Sequence, residues 1–271
     1  MNLGLFIPKS SIQITEETVW PWYMNVPKEI SIGFLSGTEI EHMQAYYSET
    51  GLLRAWRKPF FRYHYAHTFA IAAKALLGVC ARPRIVDLGC GFGTQSLFLS
   101  AMGAEVIALD MDVLALSILA KRKTYYENAL GRRLDIQIHN VNTLEFDFED
   151  IAPIHGVWSM FAFNMMKPHS ALLDHIVRGL SSDAVFTILD GNMLSWTARF
   201  LPGRKREVWS PLQFEDELRK KNFGIVAHLG GVSFPPILFK ILPYKMARQF
   251  DRVMSNNWLF PISHLLVAKK M

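Results

Sequence analysis

Short apolar runs alternate with longer stretches of helical periodicity through the middle of the chain, and this alternation predicts strands separated by helices. The first run, Ile85 and Val86, ends at an acidic residue and is followed by a glycine-rich turn. From Thr94 to Met102 the apolar positions repeat with a helical period, and a second apolar run covers residues 104–109. A strand, a tight turn, a helix and another strand in this order predict a parallel sheet with helices on its faces.

The rest of the chain repeats this order, and its predicted elements divide it into two parts. Strands are expected at residues 135–139, 154–160, 184–189, 223–229 and 264–269, and helices at 38–48, 63–77, 113–128, 169–180, 210–222 and 244–258. Thr38 followed by Glu41 predicts a capping box at the first of these helices. Residues 1–37 show no clean period, so we expect an extended arm. We therefore assign residues 1–80 to an arm and helices packed on the core, and residues 81–271 to the main domain.

The last two predicted strands are separated by more than 30 residues, which is too many for a hairpin loop. We expect a helical insertion at about residues 231–262, with apolar side chains on one face of its helix and basic side chains elsewhere. The apolar residues are Met246, Phe250, Val253, Met254 and Trp258, and the basic residues are Lys245, Arg248 and Arg252. Three interpretations stay open: an extra helix packed on the core, a lid over an apolar substrate pocket, or an interfacial helix that touches anionic lipid.

Composition narrows the class of protein. With 271 residues, 50% hydrophobic and 20% charged, the chain can bury the core of one large α/β domain. The net charge of +5 suits a faintly anionic partner or ordinary surface charge, and nucleic acid is not the expected partner. No uninterrupted apolar run approaches 18 residues, the amino terminus is a poor signal peptide, and Cys80 and Cys90 are the two cysteines. We expect a cytoplasmic protein with reduced cysteines, and peripheral membrane contact stays open.

The glycine-rich turn carries the first chemical signal. Gly89, Gly91 and Gly93 permit positive φ angles and close approach of a ligand to the backbone, while the amide groups of the following helix can face a polar or anionic group. Asp110 ends the second strand about 20 residues later, where nucleotide-binding folds place an acid for the ribose diol. The dinucleotide fingerprint requires glycine or alanine at the sixth position, and Thr94 stands there instead.

Residues 87–93, Asp-Leu-Gly-Cys-Gly-Phe-Gly, resemble the first motif of the class I S-adenosylmethionine-dependent methyltransferases, an acid followed by Gly-x-Gly-x-Gly. The resemblance extends from about residue 84 to residue 189. It implies a Rossmann-like, doubly wound α/β sheet of seven strands, mostly parallel with an antiparallel last strand, together with an N-terminal helical arm and the insertion before the last strand. The implied cofactor is S-adenosylmethionine. The implied cofactor-binding residues are Asp87, Gly89, Cys90, Gly91, Gly93, Asp110, Met111, Asn142 and Arg62.

Two of the implied contacts with the cofactor have a second interpretation. The resemblance places Asn142, or less directly Asn140, near the adenine amino group, whereas a turn-forming role is the alternative. It places Arg62 or Tyr63 near the methionine carboxylate, and a solvated Arg or a packed Tyr is the alternative. The basic run at residues 121–123 is expected to be solvated charge on an exposed helix face.

The segment after the fourth strand is expected to line the acceptor site, because ligands bind at the carboxyl ends of parallel strands. Family members that methylate base or amide nitrogens commonly have Asn or Asp, then Pro-Pro and an aromatic residue, at this place. Here Asn164 is followed by Met-Met-Lys-Pro, which disfavours nucleic-acid bases and favours an apolar or aromatic acceptor. Asp190 and Asn192, after the fifth strand, are further candidates for contact with the substrate, although Asp-Gly is also a turn signal.

Methyl transfer needs a base only if the attacking atom carries a proton. His64, His67, His155 and His169 lie in segments that could approach the site, and the sequence assigns the role to none of them. No Cys and His cluster has metal-ligand spacing, so no metal is expected. We predict a methyltransferase acting on a small or lipid-like apolar acceptor. The alternatives are an NAD-dependent oxidoreductase and a non-catalytic module that binds S-adenosylmethionine.

Overall fold

The computed structural model describes residues 5–8, 12–49, 59–195, 208–231, 243–254, 257–259 and 261–271. The chain divides into two compact units, Met1–Phe146 and Asp147–Met271. A seven-stranded sheet has the strand order β3-β2-β1-β4-β5-β7-β6.

The first unit begins with helices and continues with three strands. Its helices are α1 (Glu16–Tyr23), α2 (Asn25–Ile32), α3 (Gly37–Glu49), α4 (Pro59–Leu77), α5 (Thr94–Ala101) and α6 (Val113–Leu130), and its strands are β1 (Arg84–Leu88), β2 (Glu105–Asp110) and β3 (Ile136–Asn140). β1 pairs with β2 and β2 with β3, all parallel. In β1 and β2 nearly every residue is buried, as expected for parallel strands covered on both faces.

The second unit contains the remaining strands and three helices. Its elements are β4 (Ile154–Met160), a short 3₁₀ helix (Phe163–Met165), α7 (His169–Gly179), β5 (Leu180–Gly191), α8 (Pro211–Lys220), β6 (Phe223–Gly231), α9 (Tyr244–Met254) and β7 (Ser263–Lys270). β4 and β5 are parallel, whereas β7 lies between β5 and β6 and is antiparallel to both. The strand order and the direction of β7 confirm the predicted Rossmann-like sheet.

The N-terminal arm differs from the prediction, because residues 16–32 form two helices instead of an extended segment. Trp22 and Tyr23 are fully buried, and the Trp22 ring packs against Tyr126 with centroids 4.8 Å apart. Short helices gain most of their stability from such packing, which a periodicity analysis does not detect.

The capping box of α3 also lies two residues earlier than predicted. The Ser36 backbone N–H donates to Glu39 Oε2 at 2.7 Å and the Glu39 N–H donates to Ser36 Oγ at 3.3 Å. Thr38 and Glu41 are exposed and are not this pair. Glu39 also accepts a hydrogen bond from Lys121 of α6, and this tertiary contact favours the earlier start.

The insertion helix α9 forms as predicted but does not bury its apolar side chains. Met246 is 56% exposed and Val253 is 76% exposed, whereas Ala247 and Asp251 are buried. Of the three open interpretations, core packing is the one that the exposure of Met246 and Val253 disfavours. The helix is strongly amphipathic in sequence, but the face it buries carries small and polar residues.

Candidate cofactor and acceptor sites

The glycine turn adopts the conformation that its sequence predicts. Gly89, Gly91 and Gly93 have φ angles of 69°, 50° and 67°, which side chains rarely tolerate. A Cβ atom on Gly93 would lie 2.1 Å from Leu119 Cδ1, so this glycine is also required for packing against α6. A Cβ atom on Gly91 would meet nothing within 4 Å, so the backbone there faces open space, as approach of a ligand requires.

Asp110 connects the end of β2 to the glycine turn. Its Oδ2 accepts the Gly91 N–H at 2.7 Å, and its Oδ1 accepts the Asp112 N–H at 2.9 Å. An ionised carboxylate has about four acceptor sites, so about two remain for another donor such as a ribose diol. The predicted ribose acid therefore also holds the turn in place, a second role that spacing alone did not reveal.

Asp87, the acid of the motif, is buried beneath the turn and does not face solvent. Its Oδ2 accepts the Ser96 hydroxyl at 2.5 Å, and the Ser96 backbone N–H also bonds to it. Burial raises the pKa of Asp87 to about 7, and the nearby Asp110 adds to this rise while the Ser96 bonds oppose it. The N-terminus of α5 thus faces an acid of the chain itself.

The raised pKa of Asp87 predicts that the free energy of unfolding falls as the pH rises. The unfolded chain loses this proton near pH 3.8 and the folded chain near pH 7, so the loss accumulates between these values. At about 1.4 kcal/mol per pH unit it reaches about 4 kcal/mol. Asp87→Asn should lack this loss and exceed the wild type in stability at pH 8. Urea unfolding at pH 5, 6, 7 and 8 measures the difference, and parallel curves would contradict the assignment.

Met111 and Cys90, two of the predicted cofactor residues, differ in their exposure. Met111 is 67% exposed directly after Asp110, so its side chain is accessible to a ligand. Cys90 is buried, and its N–H, like that of Gly89, donates to the Leu109 carbonyl. Cys90 therefore contributes backbone structure at the end of β1, with its thiol turned away from solvent.

The side chains of the two asparagines after β3 make local hydrogen bonds. Asn142 Oδ1 accepts the Leu144 N–H at 3.2 Å and its Nδ2 donates to Glu145 at 3.1 Å, which matches the turn-forming interpretation. Asn140 Nδ2 donates to the carbonyls of Asp110 and Met111 and holds the loop after β2. Contact of Asn142 with adenine stays a prediction. The Arg62 and Tyr63 side chains lie outside the described part of the structure, although both residues belong to α4.

The prediction that the basic run in α6 is solvated charge is wrong for Arg122, whereas Lys121 is exposed. Arg122 is fully buried and forms an ion pair with Glu29 of α2, at 2.6 Å from Nε to Oε2. Its Nη1 donates to the Phe92 carbonyl in the glycine turn and to Thr94 Oγ1 at 3.0 Å. Tyr126 also donates to Glu29, at 2.6 Å. The N-terminal arm therefore supports the cofactor turn through one buried guanidinium.

Aromatic side chains of α3 also surround the turn, and the sequence pattern did not indicate them. The rings of Tyr46 and Tyr47 lie 5.2 and 5.5 Å from the ring of Phe92. His42 Nε2 lies 2.8 Å from Asp112 Oδ2, which fixes α3 against the start of α6. Tyr46 is partly exposed, and burial raises its pKa, with a smaller contribution from the charge of Asp110.

In the second unit, the structure brings the two predicted acceptor residues together. The Asn164 N–H donates to Asp190 Oδ2 at 3.1 Å, and Asn164 Oδ1 accepts the Trp209 N–H at 3.0 Å. Both side chains are buried, and burial raises the pKa of Asp190, although hydrogen bonds from Gly191 and Asn164 oppose the rise. Asn192 instead donates to the Trp258 and Pro261 carbonyls and holds the segment before β7.

An aromatic cluster surrounds this pair. The Phe163 ring lies 5.3 Å from Phe214, 6.0 Å from Trp209 and 5.9 Å from His169. At the end of β4, Phe161 has a φ angle of 55° and is 39% exposed. A left-handed conformation at a bulky residue costs about 1–2 kcal/mol and is typical of functional positions.

The histidines near the acceptor residues are only partly those that the sequence indicated. His169 contacts the Asn164 carbonyl at 3.3 Å. His64 lies in the first unit and is buried, and burial lowers its pKa to about 3. The sequence did not single out His228 and His264, which lie on neighbouring strands with their rings 5.3 Å apart. The sequence feature that could have drawn attention to His264 is its position at the start of the last predicted strand.

A family model described as a methyltransferase domain matches residues 85–183. This range begins in β1 and includes the glycine turn, Asp110 and Asn164. No curated protein matches the sequence.

Several solved structures have the same fold at low sequence identity. The magnesium protoporphyrin IX methyltransferase of Synechocystis, solved with bound S-adenosylmethionine, is 15% identical, with a TM-score of 0.52 over 85% of this chain and 96% of its own. An S-adenosylmethionine-dependent methyltransferase of Mesorhizobium loti is 18% identical, with a TM-score of 0.52 over 74% of this chain and 97% of its own.

A structure named as a [4+2]-cyclase is also similar, with 14% identity and a TM-score of 0.51 over 73% of this chain and 79% of its own. The fold by itself is therefore compatible with more than one reaction. The chain contains a methyltransferase domain, matched at residues 85–183, and its fold is similar to that of S-adenosylmethionine-dependent methyltransferases.

Proposed function

We propose that this methyltransferase modifies a small or lipid-like apolar acceptor. The observation that carries the proposal is the exposed, strained Phe161 at the end of β4. Met165, four residues later, is 65% exposed, so two large apolar side chains face solvent where acceptors bind in this kind of sheet. A strained apolar residue that stays 39% exposed can bury the rest of its surface against a ligand.

The surroundings of the acceptor residues agree with a largely apolar molecule. Phe163, Trp209 and Phe214 supply aromatic walls, and Asn164 and Asp190 supply a small number of polar groups. Binding sites for small molecules commonly combine these features. The segment also lacks the Pro-Pro pattern expected of enzymes that act on base nitrogens.

The insertion helix α9 supplies a second apolar surface in the same unit. Its exposed Met246 and Val253 suit a lid or contact with lipid better than core packing. None of the helices in the described part of the structure is long and apolar enough to cross a membrane. Peripheral contact with an anionic membrane therefore remains part of the proposal, with Lys245 and Arg252 as the basic groups.

The experiment is transfer of labelled methyl groups from S-adenosylmethionine into an extract of the source cells. The extract is then separated into organic, aqueous and protein fractions. We expect label in the organic fraction. Phe161→Asn with Met165→Gln should raise the KM for the extract acceptor about tenfold or more, since burying each side chain contributes about 1.5–3 kcal/mol. Asn tolerates the left-handed conformation, so the backbone at this position should be retained.

Val226→Thr on β6 is the control, because Val226 is an apolar residue as exposed as Met165 and lies outside the aromatic cluster. It should leave the KM unchanged. Label in the aqueous or protein fraction would overturn the apolar acceptor and keep the enzyme. Bound cofactor with no enzyme-dependent label in any fraction would favour a non-catalytic module.

A further inference from the structure

The insertion helix α9 buries one face and leaves an apolar stripe exposed. Ala247 and Asp251 lie about one helical turn apart and form the buried face. Met246 and Val253 lie about two turns apart on another stripe, and both are more than half exposed. Phe250 lies between them on the same stripe and is 36% exposed. Helices of globular domains normally bury their large apolar side chains, so this stripe is typical of a contact surface.

A basic stripe runs alongside the apolar one. Lys245 directly precedes Met246 and Arg252 directly precedes Val253, and consecutive residues of a helix lie about 100° apart around its axis. Both basic side chains are exposed. The only acidic residue of α9 is Asp251, and it is buried. The exposed side of this helix therefore combines apolar side chains with positive charge, and no exposed acid of the helix offsets that charge.

The insertion that carries α9 is attached to the edge of the sheet at which acceptors are expected. β6 ends at Gly231, and the start of β7 pairs both with this residue and with Gly191 at the end of β5. Asn192, the next residue after β5, donates hydrogen bonds to the carbonyls of Trp258 and Pro261, which belong to the insertion. The insertion therefore begins and ends at the carboxyl ends of the parallel strands, where ligands bind in sheets of this type.

Three occupants of the exposed surface of α9 can be compared by charge. A second copy of the chain would bring the basic stripe against its own counterpart, and like charges across an interface are unfavourable. A small acceptor beneath a lid would bury the apolar stripe and leave the basic stripe without a role. An anionic bilayer suits both stripes, because the apolar side chains can enter the boundary between headgroups and acyl chains while Lys and Arg reach the lipid phosphates.

The length of α9 determines how it can meet a bilayer. Its 11 residues extend about 16 Å, which is roughly half the thickness of the hydrocarbon core. The helix is therefore too short to cross the bilayer and would lie in the plane of the interface. Its buried face, with Ala247 and Asp251, keeps the helix attached to the protein while the two exposed stripes face the lipid.

We propose that α9 docks this protein on an anionic lipid bilayer. Met246 and Val253 insert below the headgroups, and Lys245 and Arg252 contact the lipid phosphates. Because the insertion is attached to the acceptor edge of the sheet, docking brings that edge to the membrane surface. The further step, that a lipid-like acceptor enters from this bilayer, rests on the proposed function, whereas the docking itself does not.

Vesicle sedimentation tests the docking surface. The full chain is mixed with vesicles of phosphatidylcholine alone or of phosphatidylcholine with phosphatidylglycerol. We expect binding to the anionic vesicles, and weaker binding at high salt, because salt screens the attraction. Lys245→Gln with Arg252→Gln should weaken binding about tenfold or more, because two charges no longer attract anionic lipid. Met246→Gln with Val253→Gln should weaken it by a similar factor, because less apolar surface enters the bilayer.

Matched control variants are available on α8. Leu212→Gln removes another exposed apolar side chain, and Arg219→Gln with Lys220→Gln lowers the net charge as much as the basic test variant does. Both controls should bind anionic vesicles as the wild type does. No binding to vesicles, equal binding to neutral and anionic vesicles, or equal losses in the control and test variants would overturn the inference.

An environment-sensitive fluorophore tests insertion directly. Val253→Cys provides the labelling site, and Cys80→Ser removes the exposed native cysteine. With anionic vesicles we expect a blue shift and quenching by brominated lipid, and neither of these when the label is attached through Leu212→Cys instead. A blue shift without lipid at raised protein concentration, together with dimers in light scattering, would assign the surface to a second copy of the chain and overturn the inference.

Failure of the docking surface and failure of the proposed function are distinguishable. Label only in the aqueous or protein fraction, with vesicle binding intact, would refute the apolar acceptor and keep the docking surface. Label in the organic fraction without vesicle binding would keep the acceptor and overturn the docking. A raised KM in Met246→Gln with Val253→Gln would in that case identify α9 as a lid.

Discussion

Asp110→Ala should abolish the thermal stabilisation by S-adenosylmethionine. The Asp110 carboxylate accepts the Gly91 and Asp112 N–H groups, and its remaining acceptor sites suit the ribose diol. Alanine removes both the support of the turn and the acceptors. Hydrogen bonds to a charged group contribute about 1.5–3 kcal/mol each, so losing two predicts at least a 100-fold weaker affinity. Cofactor at 100 times the wild-type dissociation constant stabilises the wild type by about 2.7 kcal/mol, and the variant should show almost none of this.

The experiment compares melting temperatures with and without the cofactor. Asp183→Ala is the matched control, because this aspartate is exposed and only pairs with Lys269 at 3.7 Å. Asp110→Asn should retain one acceptor oxygen and give an intermediate shift. A folded Asp110→Ala protein with unchanged affinity would contradict the ribose assignment.

Arg122→Met should lower the free energy of unfolding by about 3–5 kcal/mol, since it leaves Glu29 buried without its cation. It also removes the donors to the Phe92 carbonyl and Thr94 in the glycine turn. We therefore expect the affinity for S-adenosylmethionine to fall as well. Urea unfolding gives the stability, and calorimetric titration gives the affinity.

The matched control is Arg178→Met, because the Arg178 and Glu149 side chains form an ion pair that is more than half exposed. Such pairs contribute about 0–1 kcal/mol. The double variant Arg122→Met with Glu29→Gln should recover part of the lost stability, because no ionised group is then left buried without a partner. A loss below about 1 kcal/mol in Arg122→Met would contradict the buried pair.

The sequence by itself determined the features that depend only on residues close together in the chain. Apolar runs fix the strands, Asp112 caps α6 through the Leu114 and Ala115 N–H groups, and Ser210 caps α8 through Gln213. Glycines are needed where φ is positive, so the spacing of the glycines was enough to predict the cofactor turn. The acid at the end of β2 was also predictable, because strand length and turn geometry fix where it lies.

Only the tertiary structure decided which charged and polar side chains meet. Lys121, Arg122 and Lys123 are consecutive, yet a helix directs them about 100° apart, towards Glu39, Glu29 and the Ile136 carbonyl. The sequence could not show that Arg122 is the buried residue of the three, because its partner Glu29 lies 93 residues away. The same holds for His264. Its neighbours are Asp190, opposite it on β5, and His228 on β6, and both are far from it in sequence. Local geometry depends on residues that are neighbours in the sequence, whereas long-range pairing depends on how the strands and helices pack.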